Sequence, residues 1–400
     1  MTLHPSKLLR PVDLPDNFTH SLFKIAPYKG CAHGCRYCDG RAERYYVEGD
    51  FERDIEIRHD IPTRLGAELP KVRERGIIAF GSGVTDPYQA LEGDSRITGR
   101  CASILAEASL ALPAMVMTKS SLALRDLPFW ELINRRAGFI LLVSLTSLDE
   151  KLRSMMEPGA SSFQSRLDMI RKFKAVGCTV GVLAMPFLPG LSDSSESMHA
   201  LYNACAEARV DFVMPGGLTL RPGRQKDFYL KALNTCRPDL MEGTAKLYRE
   251  ERASGSPHPS ASRALFARLD PIRQEYVMPY LLPHKIFTKI LPQHDSLRIL
   301  FRDMLELYSE RGIDTTALKR SADAYDAWLR GLRRVFRKKR SLPTSWLEER
   351  FAEGEKDGEL ATVLGNRRLS SFTTTIVREE ACLDYLTLKL EQVSDVPRGT

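Results

Sequence analysis

The chain has 400 residues, which is long enough for one large α/β domain and a smaller helical region. Hydrophobic residues make up 43% and charged residues 27%, close to the globular average, and this composition excludes a disordered or fibrous chain. The 58 Lys and Arg residues give a net charge of +7 over the 51 Asp and Glu residues, a mild excess that permits an anionic partner without requiring one.

The sequence lacks the marks of secretion and of membrane insertion. No run of about 18 apolar residues occurs, and the N-terminal segment has no long apolar stretch followed by a cleavage site. Five of the eight cysteines are scattered singly along the chain, unlike a disulfide framework. We therefore expect a cytoplasmic protein with reduced thiols and no membrane partner.

The first half of the chain alternates predicted strands and predicted helices. Apolar, β-branched runs predict strands at 21–28, 76–83, 114–120, 139–146, 178–187 and 210–220. Apolar residues at spacings of three and four predict helices at 97–111, 127–137, 163–177 and 194–208. Such βα units form a parallel sheet covered by helices, either a partial barrel or an open doubly wound sheet. In both architectures ligands bind at the carboxyl ends of the strands.

Beyond about residue 222 the strand pattern fades and helical patterns dominate. Segments 295–312 and 322–340 are clear examples, and GSPHPSASR at 255–263 has the composition of a connection. We therefore divide the chain into an N-terminal extension (1–20), a βα region (21–225), a helix and linker (226–255) and a helical C-terminal domain (256–400).

Three cysteines, Cys31, Cys35 and Cys38, follow the first predicted strand with the spacing C-x3-C-x2-C. A structural zinc site needs four ligands, usually as two pairs, and the sequence offers no second cysteine pair and no H-x3-5-H motif. A 4Fe-4S cluster has four irons, so three cysteines leave one iron open to an exogenous ligand. An open coordination position is typical of a catalytic metal site.

With Tyr37 before the third cysteine, this motif resembles the C-x3-C-x-aromatic-C signature of the radical SAM superfamily. The resemblance implies a partial (β/α)6 TIM-type barrel with a mainly helical C-terminal region, and an enzyme that binds a 4Fe-4S cluster through the three cysteines. It also implies that S-adenosylmethionine chelates the open iron. Reductive cleavage of that cofactor gives methionine and a 5'-deoxyadenosyl radical, which abstracts hydrogen from a substrate. The electron comes from a reductant such as flavodoxin or ferredoxin.

Segments 81–92, 117–126, 143–161 and 185–193 are similar to the branch of this superfamily that contains spore photoproduct lyase. That lyase carries a hydrogen-donating cysteine in the loop after the second strand, where this chain has Gly83. The resemblance therefore implies a lyase-like relative rather than the lyase itself, with an unidentified substrate and final hydrogen donor.

Polar residues near the predicted strand ends are candidates to bind S-adenosylmethionine. Ser82, Thr85 and Asp86 follow the second strand, where oxygen atoms can accept from the ammonium group. Lys119 ends the third strand, and by resemblance it meets the carboxylate. The alternatives are an ordinary turn for the first group and a solvated lysine for the second.

Three further residues complete the predicted cofactor site. The alternation of the fourth strand places Ser144 and Thr146 on one face, where their hydroxyls suit the ribose. The alternative is ordinary β-propensity. Tyr37 packs beside the adenine from the cysteine loop. Glu157 and Arg166 lie in a segment typical of the branch, without an assigned role.

The segment RGLRRVFRKKR, 330–340, has seven basic residues in eleven. A helix there would dock through Leu332, Val335 and Phe336 and present its basic groups to solvent. A contact with the phosphate backbone of a nucleic acid is the functional interpretation, through the four cations Arg333, Arg334, Arg337 and Lys338.

Two classes of function therefore stand against each other. The first is a radical SAM enzyme whose substrate is a nucleic acid or another molecule. The second is a non-catalytic iron-sulfur or zinc-binding module on a barrel scaffold.

Overall fold

A computed structural model describes residues 7–45, 49–81, 84–378 and 381–392. Within these residues six strands form one parallel sheet in chain order, and its two edge strands do not pair with each other. The strands are β1 (Ser21–Ile25), β2 (Ile77–Phe80), β3 (Ala114–Thr118), β4 (Phe139–Ser144), β5 (Thr179–Phe187) and β6 (Phe212–Gly217). All six lie inside the predicted segments, because their β-branched and apolar side chains are buried on both faces.

Helices in the first half of the chain alternate with these strands, and most of them cover the outer face of the sheet. They are α1 (Ile61–Glu68), α2 (Glu92–Ser95), α3 (Ile97–Glu107), α4 (Leu127–Ala137), α5 (Glu150–Met156), α6 (Phe163–Ala175) and α7 (Ser195–Glu207). Helix α5 packs instead against the cysteine loop. Side-chain caps explain where several begin: the oxygens of Asp149, Ser162 and Ser194 accept hydrogen bonds from first-turn N–H groups. The helices bury their apolar stripes on the sheet, as where Trp130 stacks on Phe139 with ring centroids 4.8 Å apart.

The remaining helices follow the sheet. They are α8 (Arg224–Cys236), α9 (Met241–Leu247), α10 (Pro259–Glu275), α11 (His284–Ile290), α12 (Gln293–Glu310), α13 (Thr316–Lys338), α14 (Trp346–Lys356), α15 (Glu359–Leu364) and α16 (Arg367–Arg378). The partial (β/α)6 barrel with a mainly helical C-terminal region is thereby confirmed.

Helices α11 to α16 share an apolar core with the inner face of the open sheet, whereas α10 packs in the core of the outer helices. Successive residues of β4 alternate, so that Ile140 and Leu142 pack in the same apolar core as Leu300 and Phe301 of α12. Leu141 lies instead in the core beneath the outer helices. The inner face of the barrel and helices α11 to α16 therefore share one core.

Two contacts in the second half of the chain were not predicted from the sequence. Pro279 adjoins the last strand through a hydrogen bond from Val213 N to the Pro279 carbonyl, 2.9 Å long. An antiparallel ribbon pairs Ala381–Leu383 with Leu390–Gln392. The predicted domain boundaries remain predictions; α10 begins at Pro259, close to the predicted boundary at 255. Among the described residues, none of the helices has both the length and the hydropathy to cross a membrane.

Candidate active site

The loop after β1 places three cysteine side chains at the carboxyl end of the sheet. Cys31 and Cys35 are buried, Cys38 is half-buried, and all three are free thiols. The Cys38 N–H donates to the Cys35 carbonyl at 3.3 Å, which coils the loop tightly. Gly30 has a φ of +89°, and a Cβ there would lie 2.9 Å from the Phe51 carbonyl oxygen. Only glycine tolerates that conformation and that approach.

Burial disfavours the thiolate forms of these cysteines unless a positive partner is present. It raises the pKa of Cys31 to about 12, and the carboxylate of Asp86 adds to the effect. It raises the pKa of Cys35 well above its usual value, with Glu157 as the next cause. Metal ligation needs thiolates, and iron supplies the positive charge that stabilises them. A three-thiolate donor set on one loop therefore fits a 4Fe-4S cluster with one iron left for another ligand.

The described residues contain no group of three His, Cys, Asp or Glu side chains arranged to hold a single metal ion. The irons of a 4Fe-4S cube each take their own ligand. A cluster therefore does not require the three sulfur atoms to converge on one point.

Tyr37 points from the cysteine loop into a buried polar group. Its hydroxyl donates to Glu157 Oε1, and Glu157 Oε2 accepts from Arg166 Nη2 at 2.5 Å. The side chains of Glu157 and Arg166 are 1% and 0% exposed. The positive charges of Arg166 and Lys119 hold the pKa of Glu157 below its usual value against the desolvation that would raise it. Glu157 is thus an ionised carboxylate beside the loop.

The Asp86 carboxylate contacts the end of β3, the Lys119 backbone and the cysteine loop. Its Oδ1 accepts from the Thr118 hydroxyl at 2.7 Å, and its Oδ2 accepts from the Lys119 backbone N–H at 2.7 Å. His33 Nδ1, on the cysteine loop, lies 3.4 Å from Oδ2. Burial lowers the pKa of His33, which keeps its imidazole neutral. The neighbouring Thr85 hydroxyl donates to the Gly30 carbonyl at 2.7 Å.

The structure brings most of the predicted cofactor residues to one end of the sheet. Lys119 is partly buried, with its Nζ 5.8 Å from the centroid of the Tyr37 ring. Ser144 ends β4, Thr146 lies two residues beyond it, and both side chains are buried. The predicted contacts of these residues with S-adenosylmethionine stay predictions. Ser82 and Gly83 lie outside the described residues.

Helix α8 covers one side of the cysteine loop, a contact that the sequence did not predict. Gln225 Nε2 donates to the Tyr37 carbonyl at 3.1 Å, and the guanidinium of Arg221 pairs with Asp39 at 2.8 Å. The Arg41 guanidinium lies 3.7 Å from the centroid of the Phe228 ring. The local signal of this turn is the Pro222–Gly223 dipeptide before the helix.

The structure contradicts part of the prediction that basic residues of segment 330–340 contact phosphates. Arg333 is 1% exposed, and it pairs with Asp295 at 2.6 Å and with Glu74 at 3.1 Å. Arg337 pairs with Glu74 at 2.7 Å. The predicted phosphate contact of Arg333 is therefore wrong, because its helical face turns toward buried carboxylates. Val335, predicted to dock, is 40% exposed instead.

Glu74 also shows where this helix lies. It precedes β2, whereas the cysteines and Lys119 follow the carboxyl ends of β1 and β3. The end of α13 therefore lies at the amino end of the sheet, opposite the candidate site. The cations that remain exposed there are Arg330, Arg334, Lys338, Lys339 and Arg340.

An open parallel βα barrel with a three-cysteine loop at its carboxyl end is the architecture of a radical enzyme that uses a cluster. Residues 25–201 match the radical SAM superfamily. Uncharacterised proteins of Mycobacterium tuberculosis and Mycobacterium bovis are each 31% identical over 259 residues, which cover 64% of this chain and 74% of the relative. The chain belongs to the radical SAM superfamily, and it is an enzyme of that superfamily. The non-catalytic alternative is not retained.

Two further comparisons place the chain among its relatives. An uncharacterised protein of Acidianus two-tailed virus is 31% identical over 200 residues, covering 46% of this chain and 63% of the viral protein. A spore photoproduct lyase structure with bound AdoMet and dinucleoside spore photoproduct aligns with a TM-score of 0.50 at 16% identity. That alignment covers 67% of this chain and 78% of the lyase chain. The likeness to the lyase is one of fold.

Proposed function

We propose that this chain binds a 4Fe-4S cluster through Cys31, Cys35 and Cys38 and uses it to cleave S-adenosylmethionine reductively. With both groups bound, one electron from a carrier such as flavodoxin or ferredoxin would yield methionine and a 5'-deoxyadenosyl radical, which takes hydrogen from the substrate. The observation that carries this proposal is the set of three free thiols, two buried and one half-buried, on one tightly coiled loop.

The chain's own residues would bind and orient the cofactor. Lys119 would pair with the carboxylate of S-adenosylmethionine, because its ammonium lies beside the Tyr37 ring of the cysteine loop. Asp86 is the nearby carboxylate that would accept from the cofactor's ammonium. The other proposed contacts are Thr85 and Ser82 near the amino-acid end, Ser144 and Thr146 at the ribose, and Tyr37 at the adenine.

A nucleic acid is the proposed substrate class, with support limited to the exposed cations of α13. Arg330, Arg334 and Lys338 are exposed at spacings of four residues, and Lys339 and Arg340 follow them. Cations in such a row can bind successive phosphates of a polyanion. Because they lie at the amino end of the sheet, they would form an accessory contact with the substrate rather than hold its reacting part.

Anaerobic reconstitution with iron and sulfide tests the proposal. We expect about four irons and four sulfides per chain, and slow release of methionine and 5'-deoxyadenosine from S-adenosylmethionine after reduction. A protein that takes up zinc but no iron and sulfide would overturn the cluster assignment. A clustered protein that leaves the cofactor intact would overturn the cleavage step alone.

A further inference from the structure

Glu157 and Arg166 form a fully buried ion pair beside the cysteine loop, with 2.5 Å between Glu157 Oε2 and Arg166 Nη2. Stability alone does not account for such a pair, since well-packed apolar residues can replace buried ion pairs without loss. A pair of this kind next to a redox site therefore calls for a functional explanation.

The remaining polar atoms of the pair connect two elements of the site. Arg166 Nη1 donates to the carbonyl of Ser144, at the end of β4, at 2.9 Å. Arg166 Nε donates to the Ser161 carbonyl at 2.9 Å. Glu157 accepts a hydrogen bond from the hydroxyl of Tyr37, which lies between Cys35 and Cys38 in the sequence. The pair therefore links the cysteine loop to the end of β4.

Segment 156–161, which carries Glu157, also contacts the cysteine loop through its backbone. The Arg36 N–H donates to the Met156 carbonyl at 2.8 Å, and the Gly159 N–H donates to the His33 carbonyl at 2.9 Å. A Cβ at Gly159 would lie 2.4 Å from the Ala32 carbonyl oxygen, so the two segments are in direct contact. The position of the carboxylate relative to the loop is thus set by several bonds.

Both charges of the pair act on the cysteine loop through a buried region. Tyr37, which touches Glu157, and the neighbouring Cys35 are each 6% exposed. Buried charges are screened far less than exposed ones. Adding an electron to a cluster at this place would be opposed by the charge of Glu157 and favoured by that of Arg166.

We propose that Glu157 and Arg166 are positioning residues that hold the Tyr37 side of the cysteine loop and balance the charge that sets the cluster's reduction potential. This inference rests on the proposed function, because it requires the cluster on the three cysteines.

The test compares reduction potentials of reconstituted variants by an EPR-monitored redox titration. Glu157→Gln keeps the shape and removes the negative charge, so its potential should shift upward. Arg166→Met removes the positive charge, so its potential should shift downward. Glu157→Asp keeps the charge and should stay near the wild type even if the loop moves slightly.

The exposed pair of Asp168 and Arg171 on the same helix, 2.9 Å apart, is the matched control. Asp168→Asn and Arg171→Gln should leave the potential unchanged, because water screens both charges. Shifts of the same sign in Glu157→Gln and Arg166→Met, or no shift in either, would overturn the charge-balancing role.

If Arg166→Met does not fold, the comparison of Glu157→Gln with Glu157→Asp decides the question alone, since equal potentials would overturn the inference. A wild-type protein that assembles no cluster would overturn the proposed function and this inference with it. A wild type that assembles a cluster and cleaves S-adenosylmethionine, while its variants keep one potential, would overturn only this inference.

Discussion

At the scale of single residues, the cysteine loop combines buried thiols with a small set of neighbouring charges. Lys119, Arg41 and Arg166 are the cations near the loop, Glu157 and Asp86 are carboxylates, and His33 is neutral. Burial nevertheless raises the pKa of all three thiols above its usual value. Bound iron would therefore supply the positive charge that stabilises the thiolates.

Replacing Cys31, Cys35 or Cys38 with Ala should abolish cluster assembly, because each thiolate would ligate a separate iron. Iron and sulfide analysis after reconstitution measures this directly. Cys236→Ala is the control, since Cys236 is half-buried on α8 and its thiol donates to the Ala232 carbonyl. Full iron content in a triple cysteine variant would contradict the assignment.

Lys119→Ala should weaken the binding of S-adenosylmethionine while the cluster stays intact. Loss of a charge-assisted hydrogen bond costs about 1.5–3 kcal/mol, which corresponds to roughly a tenfold to hundredfold loss of affinity. Equilibrium binding to the reconstituted protein measures the change, and Lys119→Arg should retain part of the affinity. Unchanged affinity in Lys119→Ala would show that the carboxylate binds elsewhere.

Asp86→Ala should reduce both cofactor binding and cluster content. Its carboxylate contacts Thr118, the Lys119 backbone and the loop residue His33. The substitution therefore removes a contact that holds the cysteine loop, and it also removes the proposed acceptor for the cofactor's ammonium group. Parallel iron analysis and cofactor binding separate the two effects. A variant with full iron content and normal affinity would contradict both roles.

At the scale of elements, α13 divides its basic residues between two environments. One face carries Arg333 and Phe336 into the core, and the other carries Arg334 and Lys338 into solvent. Periodicity of 3.6 residues makes such a division unavoidable in a helix with basic residues all round.

Arg333→Gln should destabilise the fold rather than weaken ligand binding. The change leaves Asp295 buried without its guanidinium partner, while Glu74 keeps Arg337. Breaking a buried pair in this way costs about 3–5 kcal/mol. Chemical denaturation measures the loss in the free energy of unfolding. Arg334→Gln is the matched control and should have little effect on stability, because its side chain is exposed.

If α13 binds a nucleic acid, replacing Arg330, Arg334, Lys338 and Arg340 with Gln should weaken binding and flatten its salt dependence. The slope of the logarithm of affinity against that of salt concentration should fall by about 0.9 for each duplex phosphate that the variant no longer neutralises. Filter binding at several salt concentrations measures both quantities. Binding that the four changes leave untouched would assign this helix face to solvent alone.

At the scale of the whole molecule, the barrel depends on the C-terminal helices for the cover of its inner face. Ile77, Met115 and Phe212, from three strands, share a core with Leu297 and Leu300 of α12. The N-terminal segment is also attached, since Arg298 Nη1 donates to the Pro15 carbonyl at 2.6 Å. The predicted barrel and the helical C-terminal domain therefore share a buried apolar core in addition to their covalent connection.

Truncation after residue 255 should yield a chain without cooperative unfolding, because the inner face of the sheet would be exposed to water. Thermal denaturation and binding of a hydrophobic dye measure this outcome. A truncated barrel with a sharp transition would show that the sheet is stable alone.

The sequence by itself determined the strands, most of the outer helices and the three-cysteine motif. These features depend on neighbours within a few positions. An apolar, β-branched run predicted β4 at 139–146, apolar residues at spacings of three and four predicted α4 at 127–137, and the three cysteines lie within eight residues. Lys119 was predicted at a strand end and lies directly after β3. The inward faces of Ser144 and Thr146 stay a prediction.

Only the tertiary structure decided which residues surround those thiols. Glu157 meets Tyr37 across 120 positions of sequence, Gln225 meets it across 188, and Arg333 meets Glu74 across 259. No local pattern encodes such contacts, because they arise when separate elements pack and bury polar groups that must find partners wherever the fold brings them. For the same reason, the sequence shows that segment 330–340 is basic, but it does not show which of its basic side chains are buried and which are exposed.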